Sequence, residues 1–209
     1  MRGWGLTAWG RGARSGGARA EGVHVAYPLN LRYAEREARS IGERFPGARV
    51  LLRQEATKPN VKALIEEAGL IHFATHGDLN EQDPLASALL LVPQGAEGGR
   101  FEVREIFGLD LKARLVVLSG CETGLGKLSQ GDELVGLQRA FLYAGTPAVV
   151  TSLWKVDDRA SFVLMQEFYD QLTKGRSPAE ALRRAQSVVM AEFSHPFLWA
   201  AFGLTGAPR

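Results

Sequence analysis

Cysteine is nearly absent from this 209-residue sequence, which contains a single one, Cys121. One cysteine excludes an internal disulfide framework and is typical of a reducing compartment, so we expect a cytoplasmic location. Long hydrophobic runs are also missing, because no window approaches the roughly 18 consecutive apolar residues of a membrane span. With 45% hydrophobic and 23% charged residues, the chain suits one sizeable globular domain without a membrane partner.

The sequence also lacks a strong charge of either sign, since 25 basic and 23 acidic residues leave a formal net charge of +2. That small excess is local, because residues 1–22 contain four arginines against one glutamate. The same segment has seven glycines and no lasting hydrophobic period, so we interpret it as a disordered leader or a mis-assigned start. A nucleic-acid-binding arm is the less favoured alternative, and nucleic acid is not an expected partner.

From Val23 onward, short apolar runs alternate with stretches that have a helical spacing of apolar residues. Several runs are almost wholly apolar, as strands are when helices cover both faces of a parallel sheet. The predicted strands lie at residues 23–29, 48–52, 70–75, 114–119 and 147–154, with a hairpin at 87–103 and a last strand at 197–204. The sequence therefore predicts a three-layer α/β domain over residues 23–209, with its site at the carboxyl ends of the strands.

Cys121 lies in the segment LSGCETGLGKLSQGDE (118–133), which follows an apolar run and is rich in glycine. A phosphate-binding P-loop would need the pattern G-x-x-x-x-G-K-[ST], but the matching window starts with cysteine and is followed by leucine. The nucleophile elbow of α/β-hydrolases would need glycine two residues before and after the nucleophile, where Ser119 and Thr123 stand. Both interpretations fail at required positions.

A cysteine nucleophile with a histidine base is the third interpretation, because a thiol of pKa ~8.5 is only slightly ionised at neutral pH. His76 ends the apolar run in LIHFATHGD (70–78), as Cys121 ends another. If the two strands are neighbours, both side chains emerge at one sheet edge, where Gly77 and Gly120 expose backbone N–H groups. The alternative is that Cys121 is a buried packing residue, as free cysteine often is. The remaining histidines are interpreted as structural: His24, His72 and His195.

Five blocks of the sequence, in the same order, resemble the CHAT domain, a caspase-like cysteine peptidase module that usually accompanies tetratricopeptide or other repeats and is similar to separase. The blocks are HFATHG, VVLSGCETGLG, RAFLYAGTPAVVTSLWKVDD, SPAEALRRAQ and HPFLWAAFGLTG. The resemblance implies a three-layer caspase-haemoglobinase fold from about Val23 to the end, with a mostly parallel central sheet and helices on both faces. It also implies a catalytic dyad of His76 and Cys121, an oxyanion hole formed by the N–H groups of Gly77 and Cys121, and neither cofactor nor metal.

Acidic residues cluster in the segments expected to approach this site: Asp78, Glu122, Asp132, Asp157 and Asp158. For any one of them, a solvated loop charge is the plainer interpretation. A carboxylate in a pocket would select lysine or arginine before the scissile bond through a charge-assisted hydrogen bond. In separase, which the GTPAVVTSLWKVDD block resembles, the acid that selects arginine lies in the corresponding region. We therefore expect cleavage after a basic residue, selected by Asp157 or Asp158.

These observations predict a cytosolic cysteine endopeptidase that hydrolyses protein substrates through a His–Cys dyad and a thioester intermediate. The alternative is a non-catalytic caspase-like module that signals by binding, which a buried and unreactive thiol would favour. Because repeats normally accompany the domain, the resemblance also implies a repeat-containing regulatory partner.

Overall fold

The computed structural model describes residues 22–27, 33–80, 82–119, 132–155 and 157–207, and only the backbone at residues 97 and 132–135. The predicted N-terminal tail lies outside these residues, apart from Gly22. Cys121 and the loop that contains it also lie outside them. The first described strand begins at Val23, where the predicted domain starts, but the domain boundary itself stays a prediction.

The described residues form nine β-strands and seven α-helices. The strands are β1 (Val23–Ala26), β2 (Arg49–Leu52), β3 (Leu70–Ala74), β4 (Gly77–Asp78), β5 (Ala88–Leu90), β6 (Arg100–Glu102), β7 (Leu115–Ser119), β8 (Ala148–Ser152) and β9 (Phe202–Gly206). The helices are α1 (Ala34–Gly42), α2 (Lys58–Ile65), α3 (Val103–Ile106), α4 (Asp132–Tyr143), α5 (Asp158–Thr173), α6 (Pro178–Glu192) and α7 (Pro196–Trp199). Each strand predicted before residue 155 is present, slightly shortened.

Six of the strands form one sheet in the order β2-β1-β3-β7-β8-β9. All neighbouring pairs from β2 to β8 are parallel, and only β9 runs antiparallel to its neighbour β8. The other three strands form a small antiparallel sheet in the order β4-β5-β6, which contains the predicted hairpin. The mostly parallel central sheet is confirmed. Parallel strands end at the same edge, so the loops after β1, β3, β7 and β8 leave the sheet together.

Buried apolar side chains cover both faces of the six-stranded sheet. One cluster joins the sheet to α2, α4 and the small sheet through Val61, Ile65, Phe141, Leu89 and Phe101. The other joins it to α1, α5 and α6 through Ile41, Phe168, Leu172, Ala181 and Ala185. Adjacent residues of β7 serve opposite clusters, as Val116 and Val117 do, because side chains alternate across a strand. The predicted three-layer α/β architecture is therefore confirmed.

Short polar residues set the first turns of three helices. The hydroxyl of Thr57 accepts the Asn60 N–H at the start of α2 (3.4 Å), and the hydroxyl of Ser177 accepts the Glu180 N–H at the start of α6 (3.3 Å). A carboxylate, that of Asp157, begins α5 in the same way. Each cap satisfies a backbone donor that the helix itself leaves without a partner.

The last predicted strand, residues 197–204, is wrong in its first half. Pro196–Trp199 form the short helix α7, and β9 begins only at Phe202. His195 explains the difference, because its ring nitrogen accepts the Phe197 N–H (3.2 Å) and Pro196 has the fixed φ that suits a first helical position. The apolar run FLWAAFGL therefore contains a helical turn followed by a strand, which its composition alone does not reveal.

A buried polar cluster lies between the sheet and the layer formed by α1 and α5. One ring nitrogen of His72 lies 3.0 Å from the Tyr169 hydroxyl, and the other lies 3.0 Å from a carboxylate oxygen of Glu37. His24, on the neighbouring strand β1, has its ring centroid 6.1 Å from that of His72. Burial and the nearby His72 lower the pKa of His24 from 6.5 to about 3. His24 is therefore neutral in the folded protein at neutral pH, and it and His72 have the surroundings of structural residues.

The burial of His24 predicts a loss of stability in acid. Unfolded His24 binds a proton below a pH of about 6.5, whereas the folded protein resists this down to a pH of about 3, so stability falls as the pH falls through that window. Within that window the free energy of unfolding falls by about 1.4 kcal/mol for each pH unit, and the total loss at pH 5 is about 2 kcal/mol. The ionisable side chains in the same buried cluster are His72, Tyr169 and Glu37, the last bound to His72. Urea unfolding of His24→Leu should show a pH slope reduced by this amount, and an unchanged slope would contradict the assignment.

Candidate active site

His76 lies where the chain passes from the large sheet to the small one. Strand β3 ends at Ala74 and strand β4 begins at Gly77, so the junction consists of Thr75 and His76. His76 is 7% exposed, and its backbone carbonyl accepts the N–H of Leu90 on β5 (2.8 Å). The histidine is thus held at the carboxyl edge of the large sheet by a strand of the small sheet.

The strands that lead to His76 and Cys121 are neighbours. β3 and β7 pair in parallel from Leu70 with Leu115 to Ala74 with Ser119, and the Thr75 N–H extends the pairing to the Ser119 carbonyl (3.2 Å). The prediction that these two strands are adjacent and parallel is confirmed. Cys121 lies outside the described residues, so its position relative to His76 stays a prediction.

Of the two predicted oxyanion donors, one lies among the described residues and the other does not. Gly77, the residue after His76, is half-buried and pairs with Leu89 in the small sheet. The second donor, the N–H of Cys121, lies outside the described residues, as do Gly120 and the predicted binding residue Glu122. The oxyanion hole therefore stays a prediction, and Gly77 is the one proposed donor that lies among the described residues.

The predicted specificity residues Asp157 and Asp158 follow β8 at the same sheet edge, at the start of α5. The Asp157 carboxylate accepts the Ala160 N–H (2.8 Å), and the Asp158 carboxylate accepts the Tyr33 N–H (3.0 Å), just before α1. Both acids therefore have structural contacts of their own. A role in substrate binding is neither required nor prevented by these contacts and stays a prediction.

Asp78 lies two residues after His76, on β4, and is half-exposed. Its carboxylate forms an ion pair with Arg100 of β6, whose guanidinium also donates to the Ala86 carbonyl (2.7 Å). The arginine thus joins β4 to β6 and to the turn between β4 and β5. Within the described residues, no group of three His, Cys, Asp or Glu side chains is placed to hold a metal ion.

Sequence reasoning missed the contacts that hold the His76 junction in place. The Thr75 hydroxyl donates to the Leu90 carbonyl, and no motif of the sequence pairs these two residues. It also missed an aromatic contact after β8, where the Trp154 ring stacks on Phe197 with centroids 5.8 Å apart and its N–H donates to the Phe197 carbonyl (2.9 Å). Each contact joins segments far apart in the sequence, so local patterns could not have shown it.

Comparison with known proteins identifies the family. A family model described as the CHAT domain matches residues 13–207. The chain belongs to the CHAT domain family. Tetratricopeptide repeat protein 28 of Mus musculus is 31% identical over 215 residues, and that of Homo sapiens is 30% identical. Each match covers 83% of this CHAT domain chain but only 8% of the relative, so the chain spans less than a tenth of the length of these proteins.

Solved structures share the fold of this CHAT domain at low sequence identity. Separase in the Saccharomyces cerevisiae separase–securin complex has a TM-score of 0.63 and 17% identity over 90% of this chain and 12% of that one. The Arg-specific cysteine proteinase gingipain R has a TM-score of 0.57 and 10% identity over 89% of this chain and 45% of that one. At these identities the likeness shows a caspase-like fold and no more. Among the described helices, none combines the length and apolarity needed to cross a membrane.

The capping contact of Asp157 predicts how substitutions there affect stability. Asp157→Ala removes the side-chain acceptor for the Ala160 N–H and should destabilise the protein by about 1 kcal/mol, whereas Asp157→Asn retains a good cap and should cost less than about 0.5 kcal/mol. Urea unfolding of both variants at neutral pH measures the difference. Equal losses in the two variants would mean that the charge of Asp157, and not its cap, stabilises α5.

Proposed function

We propose that this CHAT domain is a cysteine endopeptidase that acts through a dyad of His76 and Cys121. The observation that carries the proposal is the parallel pairing of β3 and β7, in register from Leu70 with Leu115 to Ala74 with Ser119. His76 follows Ala74 by two residues, and Cys121 follows Ser119 by two residues. The histidine and the only cysteine therefore each follow a paired position of two neighbouring strands by the same number of residues.

Covalent geometry supports this arrangement. Two residues of chain span at most about 7 Å, so the Cα atom of Cys121 cannot lie farther than that from the Cα atom of Ser119. Ser119 in turn is held beside the His76 junction by the Thr75 N–H. A dyad requires the sulfur and the imidazole to reach one substrate carbonyl, at about 3 to 4 Å. The short chain between Ser119 and Cys121 limits how far the thiol can lie from the His76 junction.

The proposed reaction is amide hydrolysis in two steps. The Cys121 thiolate attacks the scissile carbonyl carbon, and the N–H groups of Gly77 and Cys121 stabilise the oxyanion that forms. His76 holds the thiol proton and donates it to the leaving amine, which leaves a thioester on Cys121. Water, which gives a proton to His76, then attacks the thioester carbonyl, and the acid product departs as the thiol regains its proton.

We propose that the substrate is a protein cleaved after a basic residue. Asp157 and Asp158 stand at the carboxyl edge that also carries His76, and a carboxylate there would bind lysine or arginine through a charge-assisted hydrogen bond. Gingipain R, which shares the fold, is an Arg-specific cysteine proteinase. Asp78 is the weaker candidate, because Arg100 already neutralises it. Glu122 is the remaining candidate, next to the proposed nucleophile in the sequence.

The relatives suggest how such a peptidase would be controlled. Both are tetratricopeptide repeat proteins of which this chain matches only a small part. We therefore propose that a repeat-containing segment or partner regulates the domain. A cytoplasmic location belongs to the same proposal, since the single cysteine suits a reducing compartment.

The dyad can be tested without knowing the substrate, because Cys121 is the only cysteine and any thiol label reports on it alone. Iodoacetamide should alkylate the protein at about pH 6 at least tenfold faster than a free thiol, and His76→Ala should abolish that advantage. Cys121→Ala should show no labelling and no peptide hydrolysis, with an unchanged thermal melt. His195→Ala is the matched control, since His195 is an exposed helix cap. Equal rates in the wild type and in His76→Ala would favour the non-catalytic module.

The specificity proposal predicts the behaviour of charge-removing variants that keep the structural contacts. Asn at position 157 still caps α5, and Asn at position 158 still offers an oxygen to the Tyr33 N–H. One of these variants should reduce cleavage after arginine by about 10- to 100-fold while Cys121 labelling is unchanged. Asp170→Asn, in the last turn of α5, is the control. A peptide library cleaved after acidic residues would contradict the proposal.

A further inference from the structure

Thr75 follows one strand and makes hydrogen bonds to two others around the His76 junction. It follows the last residue of β3, its N–H donates to the Ser119 carbonyl at the end of β7 (3.2 Å), and its hydroxyl donates to the Leu90 carbonyl on β5. The side chain is 1% exposed, so water does not compete for this hydroxyl. Buried hydroxyls are costly to leave without a partner, and this one is directed at the strand that also binds His76.

Leu90 connects the two residues of the junction. Its carbonyl accepts from the Thr75 hydroxyl, while its N–H donates to the His76 carbonyl (2.8 Å). The two peptide groups on either side of Leu90 thereby bind consecutive residues of the junction: one binds Thr75 and the other binds His76. Because the backbone of His76 sets the direction of its imidazole, any movement of β5 against β3 would turn the ring.

We infer that Thr75 is a positioning residue for His76, acting through the Leu90 backbone. Its hydroxyl holds β5 against the end of β3, and β5 holds the carbonyl of His76. The inference rests on the proposed dyad, since it gives Thr75 a role in aiming the imidazole at the Cys121 thiol. A displacement of about 1 Å between reacting groups can cost about 100-fold in rate, so one hydrogen bond at this junction is enough to matter.

The test compares variants that differ by the hydroxyl. Thr75→Val keeps the shape of threonine without the donor, and Thr75→Ser keeps the donor without the methyl group. Iodoacetamide alkylation of Cys121 in the full chain should slow by about tenfold in Thr75→Val near pH 6, with the midpoint of its pH profile moved toward that of an ordinary thiol, ~8.5. Thr75→Ser should stay within about threefold of the wild type, because its hydroxyl can still bind Leu90.

Combining Thr75→Val with His76→Ala distinguishes a role of Thr75 in positioning His76 from a role in folding. If Thr75 acts through His76, Thr75→Val should change the alkylation rate of His76→Ala by less than about twofold. Thr146→Val is the matched control. Thr146 is also a buried threonine (1% exposed), but its hydroxyl has no hydrogen-bond partner among the described residues, and it precedes β8 at the opposite sheet edge. This variant should leave the alkylation profile unchanged.

Each failure has a distinct meaning. A His76→Ala protein that labels like the wild type would overturn the dyad and the inference with it. If His76→Ala is alkylated slowly but Thr75→Val is alkylated at the wild-type rate, the inference about Thr75 is overturned and the dyad is not. A Thr75→Ser as slow as Thr75→Val would also overturn it, because the methyl group would then be responsible. If Thr75→Val melts below the assay temperature, Thr75→Ala carries the same expectation, and loss of folding in both would assign Thr75 to the fold instead.

Discussion

The parallel pairing of β3 with β7 is the constraint on which the rest of the site depends. Both strands are buried along their whole length, so their backbone groups have no water to bind and must bind each other in one register. That register sets Ala74 beside Ser119, and the junction with the small sheet begins at the next residue. A shift of one residue would move every side chain of a strand to the opposite face and would unpack both apolar clusters. The cores therefore enforce the geometry of the sheet edge.

Two histidines four residues apart in the sequence have different surroundings. His72 is enclosed within β3, and both of its ring nitrogens lie at hydrogen-bonding distance from Tyr169 and Glu37. His76 lies past the end of the same strand, at the edge where loops gather. A histidine whose two nitrogens are both engaged in the core cannot exchange protons with a substrate without breaking those bonds. In the proposed dyad, the chemical role falls to His76 at the sheet edge, and the enclosed His72 keeps a structural one.

Each acidic residue near this edge has a structural contact of its own. Asp157 caps α5, Asp158 binds the segment before α1, and Asp78 pairs with Arg100. Each carboxylate thus stabilises a loop that borders the proposed site. An acid used in this way is held in a defined position, and a fixed carboxylate loses less conformational entropy when it binds a cationic side chain. For Asp157 and Asp158, structural use and the proposed substrate recognition are therefore compatible in the same residue.

The sequence by itself determined the layered α/β fold, the order along the chain and approximate bounds of the strands predicted before residue 155, and the helix starts at Thr57 and Ser177. These features follow from hydrophobic runs and from capping residues, which act over a few neighbouring positions. It also singled out His76 and Cys121, because each follows an apolar strand. Only the tertiary structure decided that FLWAAFGL begins with a helical turn, that Asp78 meets Arg100, and that Leu90 binds both residues of the Thr75–His76 junction. Those contacts join residues 14 to 22 positions apart or depend on a specific cap, and no local periodicity encodes which distant group a residue will meet.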